Sequence, residues 1–200
     1  MSDDQLISRL CQVEVDAEDG SRARLSDEEV MGFCSLIGFA GTETLTKLLA
    51  SAVVLFHLNP EEWKKVLDDR AKIQGAVEET LRHDPPSQYQ GRVLSQDVTL
   101  HGTDVPKGAR VLLLTGAANR DEREFPEPDR FDITRPAHLA LGFGHGVHFC
   151  LGAALARLEG RVGLEEFATR FPRYEIDEDK LRYVHMSNVH GFASVPLRAI

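Results

Sequence analysis

The chain has 200 residues, 42% hydrophobic and 28% charged, which is enough to bury a core and argues against disorder. Its 32 acidic and 23 basic side chains leave a formal charge of -9, which repels phosphate backbones and anionic lipid and so speaks against nucleic-acid and membrane-surface partners. Cys11, Cys34 and Cys150 are far apart and odd in number, and MSDDQLISRL has neither the basic flank nor the apolar stretch of a signal peptide, so the expectation is a cytoplasmic protein.

In chain order, Asp3 to Val15 predicts a short amphipathic helix, followed by the polar connector AEDGSRAR. Ser26 and Glu29 form a capping box, and from Asp27 to about His57 no proline interrupts a sequence apolar almost all round over its first half, which predicts a long buried helix. Its most apolar stretch, VMGFCSLIGFAG, reads as too short and too interrupted by Thr42, Glu43, Thr44 and Lys47 to span a bilayer. Asn59 and Pro60 supply an N-cap and a first-turn proline for a helix carrying Trp63. AKIQGAVEETLRH predicts another, stopped by Asp84-Pro85-Pro86. Trp63 and Cys34 read as packing residues.

Beyond Tyr89 the pattern changes to short alternating runs, GRVLSQ, VTLHG and ARVLLLT, split by Gly102 and by Pro106-Lys107-Gly108, which predicts a small antiparallel sheet. Asn119 to Pro136 is rich in Pro, Asp and Arg and shows no period, a length of irregular chain that is more often functional than idle. LGAALARLEGRVGLEEFATRF predicts a helix, and the tail from Leu181 to Ile200 returns to short strands.

Between those last segments stands FGHGVHFCLG, residues 143–152. Cys150 lies at the junction of a glycine-rich loop and a helix, where the positive helix end and free amides stabilise a thiolate and prime it to ligate a metal. Gly144, Gly146 and Gly152 can adopt positive φ or allow close approach, so that a flat cofactor can lie against the loop. A buried cysteine beside an ordinary turn is the blander alternative. A zinc site would draw on His145, His148 and Cys150 but finds no fourth ligand nearby, and a phosphate cradle fails because the third glycine of GxGxxG is missing.

The spacing of Phe143, Gly146, Cys150 and Gly152 resembles the haem-binding signature of the haem-thiolate monooxygenases, the cytochrome P450 family. Glu79 and Arg82 in EETLR resemble that family's ExxR pair, and FPEPDRF at residues 125–131 resembles its downstream segment, whose arginine, here Arg130, joins the pair. AGTET, residues 40–44, resembles the oxygen-activation motif of the long central helix. The resemblance runs from about Ser26 onward.

It implies a mainly α, multi-helical cytochrome P450-like fold with small antiparallel β-sheets, truncated so that the N-terminal half is absent. Residues 1–25 would form a short helix and connector, and residues 26–200 the C-terminal haem-binding part of the domain. Haem b (iron protoporphyrin IX) would have Cys150 as axial ligand, with Ala40, Gly41, Phe143, Gly144, Gly146 and Gly152 around it and His148 and Arg92 at its propionates. Glu79, Arg82 and Arg130 would support the loop by bringing two forked guanidiniums to one carboxylate. In AGTET, Thr44 bonding back to the Ala40 carbonyl and Gly41 weakening the ladder would open a local bulge, where Glu43 and Thr44 relay protons.

The implied activity is oxidation of an organic small molecule with O2, the thiolate favouring O–O cleavage. Electrons would come from a ferredoxin-type donor with its reductase, since no flavin or nicotinamide motif is present. Arg157 and Arg161, four residues apart on one helix, would form a basic docking patch unless they pair with Glu159, Glu165 or Glu166. A truncated non-catalytic haem-binding protein, or a vestigial interaction module, is the other expectation.

Overall fold

The computed structural model describes residues 5–16, 20–136 and 140–200. They fall into two compact units, Met1–Glu43 and Thr44–Ile200, whose boundary lies within one long helix.

In the first unit, helix α1 spans Leu6–Leu10, and strands β1 (Glu14–Asp16) and β2 (Arg22–Arg24) pair antiparallel with Val15 opposite Ala23. The sequence predicts a longer helix and a plain connector here. The helix forms over Leu6–Leu10 only, and the β1–β2 pairing takes the C-terminal end of the predicted one and the end of the connector, with Gly20 at a φ of +80° that only glycine adopts readily. Asp3 and residues 17–19, parts of those two expectations, lie outside the described residues. Helix α2, Asp27–Leu58, starts with the capping box: Glu29 Oε2 accepts from the Ser26 amide at 2.8 Å and from its hydroxyl at 2.9 Å. Those bonds hold the Glu29 carboxyl below its ordinary range.

The apolar first half of α2 is more exposed than its composition predicts, with Met31 62% and Phe39 79% exposed. By length and hydropathy the whole helix qualifies as long enough to cross a membrane, a test that core helices of soluble proteins also pass. From Leu48 onward it is a core helix. Leu48, Ala52 and Phe56 are buried with Trp63, Val66, Ile73, Val77, Phe131 and Leu164.

The second unit continues with α3 (Pro60–Asp68) and α4 (Ile73–His83). Asn59 stands before the first-turn proline as predicted, yet its side chain donates back to the Leu55 carbonyl at 2.8 Å, closing the end of α2 instead of capping α3. Trp63 is buried and its Nε1 donates to Pro172 O. The predicted sheet is two separate ribbons: β3 (Gln90–Val93) with β6 (Arg110–Leu113), and β4 (Val98–Leu100) with β5 (Thr103–Val105). A short α5, Thr115–Ala118, leads into the irregular segment. After the cysteine loop comes α6, Ala153–Arg170. The tail pairs β7 (Tyr174–Ile176) with β10 (Leu197–Ala199) and β8 (Arg182–Tyr183) with β9 (Phe192–Ser194). β7 begins before the predicted strands, and it is tied to α2 by the Tyr174 hydroxyl, which donates to Val53 O.

His83, at the end of α4, gives a pH dependence. Arg120 Nη2 lies 3.1 Å from His83 Nδ1, and an arginine nitrogen can only donate, so Nδ1 is the acceptor and Nε2 carries the proton toward Asp129 O, 3.1 Å away. Burial first, then Arg120, pushes the His83 pKa down. The unfolded chain therefore binds this proton more readily, and the stability from neutral His83 is complete above about pH 6.5 and lost as pH falls below it. Urea midpoints measured from pH 7.5 to pH 5 should fall more steeply in the parent than in His83→Gln; parallel curves would refute this.

Candidate active site

α4 carries the platform on which the cysteine loop rests. Glu79 and Arg82, one turn apart, are 1% and 0% exposed. Arg82 Nε and Nη2 donate to the two Glu79 oxygens, each at 2.8 Å. Its remaining donors reach three backbone carbonyls: Asn119 at 2.9 Å and Pro128 at 2.8 Å from Nη1, and Arg130 at 3.2 Å from Nη2. All five N–H groups of the guanidinium are thus engaged, and Phe125 lies with its ring 5.4 Å from the guanidinium carbon. The irregular segment predicted from Asn119 to Pro136 forms no helix or strand beyond the end of α5, and three of its carbonyls, those of Asn119, Pro128 and Arg130, accept from Arg82.

Arg130 joins this cluster through its carbonyl, and the expected second guanidinium comes from elsewhere. The Arg130 side chain is exposed, 3.3 Å from Glu127 and 3.8 Å from Asp132. Arg135 takes the place foreseen for it, with Nε 3.4 Å from Glu79 Oε1 and further donations to the carbonyls of Pro126, Glu127 and Arg130. The Asp132 amide also donates to Glu79 Oε1 at 3.0 Å, which turns the chain so that Arg130 faces outward and Arg135 inward. The signal for Arg135 was present in the sequence, an arginine five residues beyond Arg130, but spacing within an aperiodic segment does not say which one turns in.

Asn119, fully buried and unremarked in the sequence, links platform and loop: its carbonyl holds Arg82 while its Oδ1 accepts from the Leu141 amide at 2.7 Å. Gly142 then passes so close to α4 that a Cβ there would stand 2.9 Å from Leu81 O. Above this seat the chain turns sharply, with φ of +74° at Gly144 and +65° at Gly146, values that disfavour any residue with a Cβ. The Cys150 amide donates to Phe143 O at 2.9 Å and closes the loop, and the Cys150 carbonyl accepts from Ala153 at the start of α6.

Cys150 is a free, exposed thiol, not the buried cysteine of the blander alternative. Around it Val147, Phe149 and Leu151 are 97%, 51% and 83% exposed, an apolar cluster that soluble surfaces seldom present. Among the described residues no group of three or more His, Cys, Asp or Glu is placed to hold a metal ion, so His145 and His148 do not combine with Cys150 in a zinc site. One accessible sulfur on an apolar, glycine-opened face fits a flat hydrophobic group bound through a single thiolate.

Arg92 lies on β3, half-buried, with Nη1 donating to Gly91 O, and His148 is exposed in the 3-10 turn Gly146–His148. Ala40, Gly41 and Glu43 belong to the first unit and Thr44 opens the second, all within α2. The bulge expected there is absent: residues 27–58 form one uninterrupted α-helix, Gly41 having cost the ladder too little to break it. Arg157 is held by Glu78 of α4, its Nε bonded to Oε1 and its Nη2 3.1 Å from Oε2. That bond above all, and more weakly the Cys150 sulfur, raises the Arg157 pKa. Arg161 makes a long contact with Glu165, 3.9 Å.

The site is thus a buried carboxylate–guanidinium platform under an exposed cysteine loop, on a mainly helical scaffold with small antiparallel ribbons. The cytochrome P450 family model matches residues 2–196. Over 193 residues the chain is 46% identical to the putative cytochrome P450 123 of Mycobacterium tuberculosis, covering 96% of this chain and 47% of that protein. It is 42% identical to the vitamin D(3) 25-hydroxylase of Pseudonocardia autotrophica, covering 98% of this chain and 48% of the relative. Among solved structures, cytochrome P450 TbtJ1 superimposes with a TM-score of 0.91 at 38% identity, covering 98% of this chain and 51% of that one. HmtN, a post-tailoring hydroxylase of himastatin biosynthesis, gives 0.90 at 36%, covering 99% and 52%. The chain belongs to the cytochrome P450 family, and it spans about half the length of the curated relatives it matches.

Proposed function

We propose that this chain supplies the haem-thiolate part of a monooxygenase that oxidises an organic small molecule, with Cys150 as the axial ligand of haem b. The observation that carries this reading is the exposed Cys150 thiol on a loop whose seat is fastened to the buried Glu79–Arg82 pair. Haem, when bound, supplies the redox chemistry of O2 activation. The chain's own residues do the rest. Gly144 and Gly146 keep side chains off the turns beside the thiolate, Phe149 and Leu151 give an apolar wall, and Arg92 and His148 offer donors to carboxylates. Glu43 and Thr44 hold a carboxylate and a hydroxyl on adjacent residues of α2, a pair suited to passing protons. Relatives named for acting on vitamin D3 and on cyclomarin C support an organic substrate. The test is the spectrum of the haem-reconstituted chain, reduced and exposed to carbon monoxide: a strongly red-shifted Soret band is expected, and its absence would overturn the reading.

Electrons come, on this reading, from an acidic ferredoxin-type donor, and the two candidate docking arginines divide. Arg157 is occupied by Glu78, whereas Arg161 is half-exposed beside a weak partner. Arg161→Glu is expected to slow the bimolecular reduction several-fold at 0.01 M salt and to match the parent at 1 M, where the Debye length has dropped from about 30 Å to about 3 Å. Stopped-flow rates at both salts decide it, and equal rates at low salt would remove Arg161 from the docking surface.

A further inference from the structure

Resting on the haem-thiolate reading, we propose that Arg157 is a positioning residue for the cysteine loop. Gripped by both carboxylate oxygens of Glu78, its guanidinium clamps the ring of Phe143 and so steadies the carbonyl that receives the Cys150 amide. The geometry consists of three contacts in series. Glu78 on α4 holds the guanidinium in a fork, with Nε on one oxygen and Nη2 on the other. The guanidinium carbon stands 4.6 Å from the centroid of the Phe143 ring, within cation–π range. Phe143 O then accepts the Cys150 N–H at 2.9 Å, so the residue under the clamp is also the one that closes the loop.

The arrangement makes double use of α4. Successive residues on a helix point about 100° apart, so Glu79 turns inward to Arg82 while Glu78 turns toward α6. One carboxylate fastens the irregular segment and the seat of the loop, and its neighbour fastens the loop's first aromatic residue. Phe143 is half-buried and meets Phe149 with ring centroids 6.3 Å apart, so the same clamp reaches the apolar wall beside the sulfur. A planar fork is required, because it must present its edge to a carboxylate and its face to a ring at once, and an ammonium cannot do both. This separates Arg157 from Arg161: one acts through the loop with little dependence on salt, the other through a solvent-screened encounter.

Two readouts test the clamp. The first is hydrogen exchange of the Cys150 amide in the haem-free chain, and the second is the ferrous carbonyl spectrum of the haem-loaded chain, for Arg157→Gln, Arg157→Lys and Glu78→Gln. Arg157→Gln and Glu78→Gln should each quicken Cys150 exchange about tenfold, the effect of losing a forked ion pair together with its cation–π contact. Both should also move part of the Soret intensity from the red-shifted to the less shifted form. Arg157→Lys should restore only part of either. Parental exchange at Cys150 in both Arg157→Gln and Glu78→Gln overturns the clamp. If Arg157→Gln does not fold, Glu78→Gln, altered on the other helix, decides by the same exchange rate. A parent without the red-shifted band, in a set whose variants still quicken exchange, fails the haem reading and leaves the clamp standing.

Discussion

Replacing Arg82 by methionine is expected to leave the chain largely unfolded at room temperature, before any question of chemistry arises. The side chain is 0% exposed and carries five hydrogen bonds, two to Glu79 and three to the carbonyls of Asn119, Pro128 and Arg130. Removing one partner of a buried ion pair costs about 3–5 kcal/mol, and here the Asp132 amide and the longer Arg135 contact leave the buried Glu79 only partly compensated. The three carbonyls lose their donor as well, at roughly 1–3 kcal/mol for each that water does not reach. Against a total stability of about 5–15 kcal/mol for a domain, that sum removes most of the folded population.

The companion variants make the expectation specific. Arg135→Met should cost distinctly less, since its contact with Glu79 is longer, at 3.4 Å, and it sits nearer the surface. Arg130→Met should fall within about 0.5 kcal/mol of the parent, because its carbonyl, the part that matters, is retained. Urea denaturation of the three variants orders them. An Arg82→Met chain that melts with the parent, or an Arg130→Met chain that is the most damaged, would sink this account of the platform.

Cys150→Ser is expected to separate chemistry from folding in the opposite sense. The thiol is exposed, and the loop is held by the Cys150 amide and by Asn119, so exchanging sulfur for oxygen should leave the urea midpoint near that of the parent. The red-shifted Soret band of the reduced carbonyl complex should vanish altogether, because that signature belongs to a thiolate ligand and serine offers none at neutral pH. A variant that keeps the band would show that another group ligates the iron. The contrast with Arg82 is the useful one: the group that supports the loop should fail in denaturant, and the proposed haem ligand should fail in the spectrum.

Much of this was legible from the chain alone, and for local reasons. The capping box of α2, the proline at the start of α3 and the stop after α4 depend on residues within a turn of one another. The cysteine loop was equally legible, since the positive φ values at Gly144 and Gly146 are written into the choice of glycine. The β1–β2 hairpin was missed because three-residue strands give alternation too short to separate from a connector. The first half of α2 read as buried because composition shows that a helix can be covered, while exposure depends on which elements lie against it.

What the sequence by itself determined was the set of chemical groups and their order: a carboxylate and a guanidinium one helical turn apart, an aperiodic segment, then a cysteine among glycines. Only the tertiary structure decided how the partners were matched. It chose Arg135 over Arg130 as the second guanidinium near Glu79, set Asn119 between platform and loop, and gave Arg157 to Glu78 on another helix instead of to Glu159, Glu165 or Glu166 on its own. The physical reason is that spacing fixes direction only where the backbone is regular. A helix turns by a constant angle, so Glu79 and Arg82 could be paired on paper. The path of residues 119–136 instead follows the hydrogen bonds that Arg82 imposes on it, and those exist only once the chain is folded.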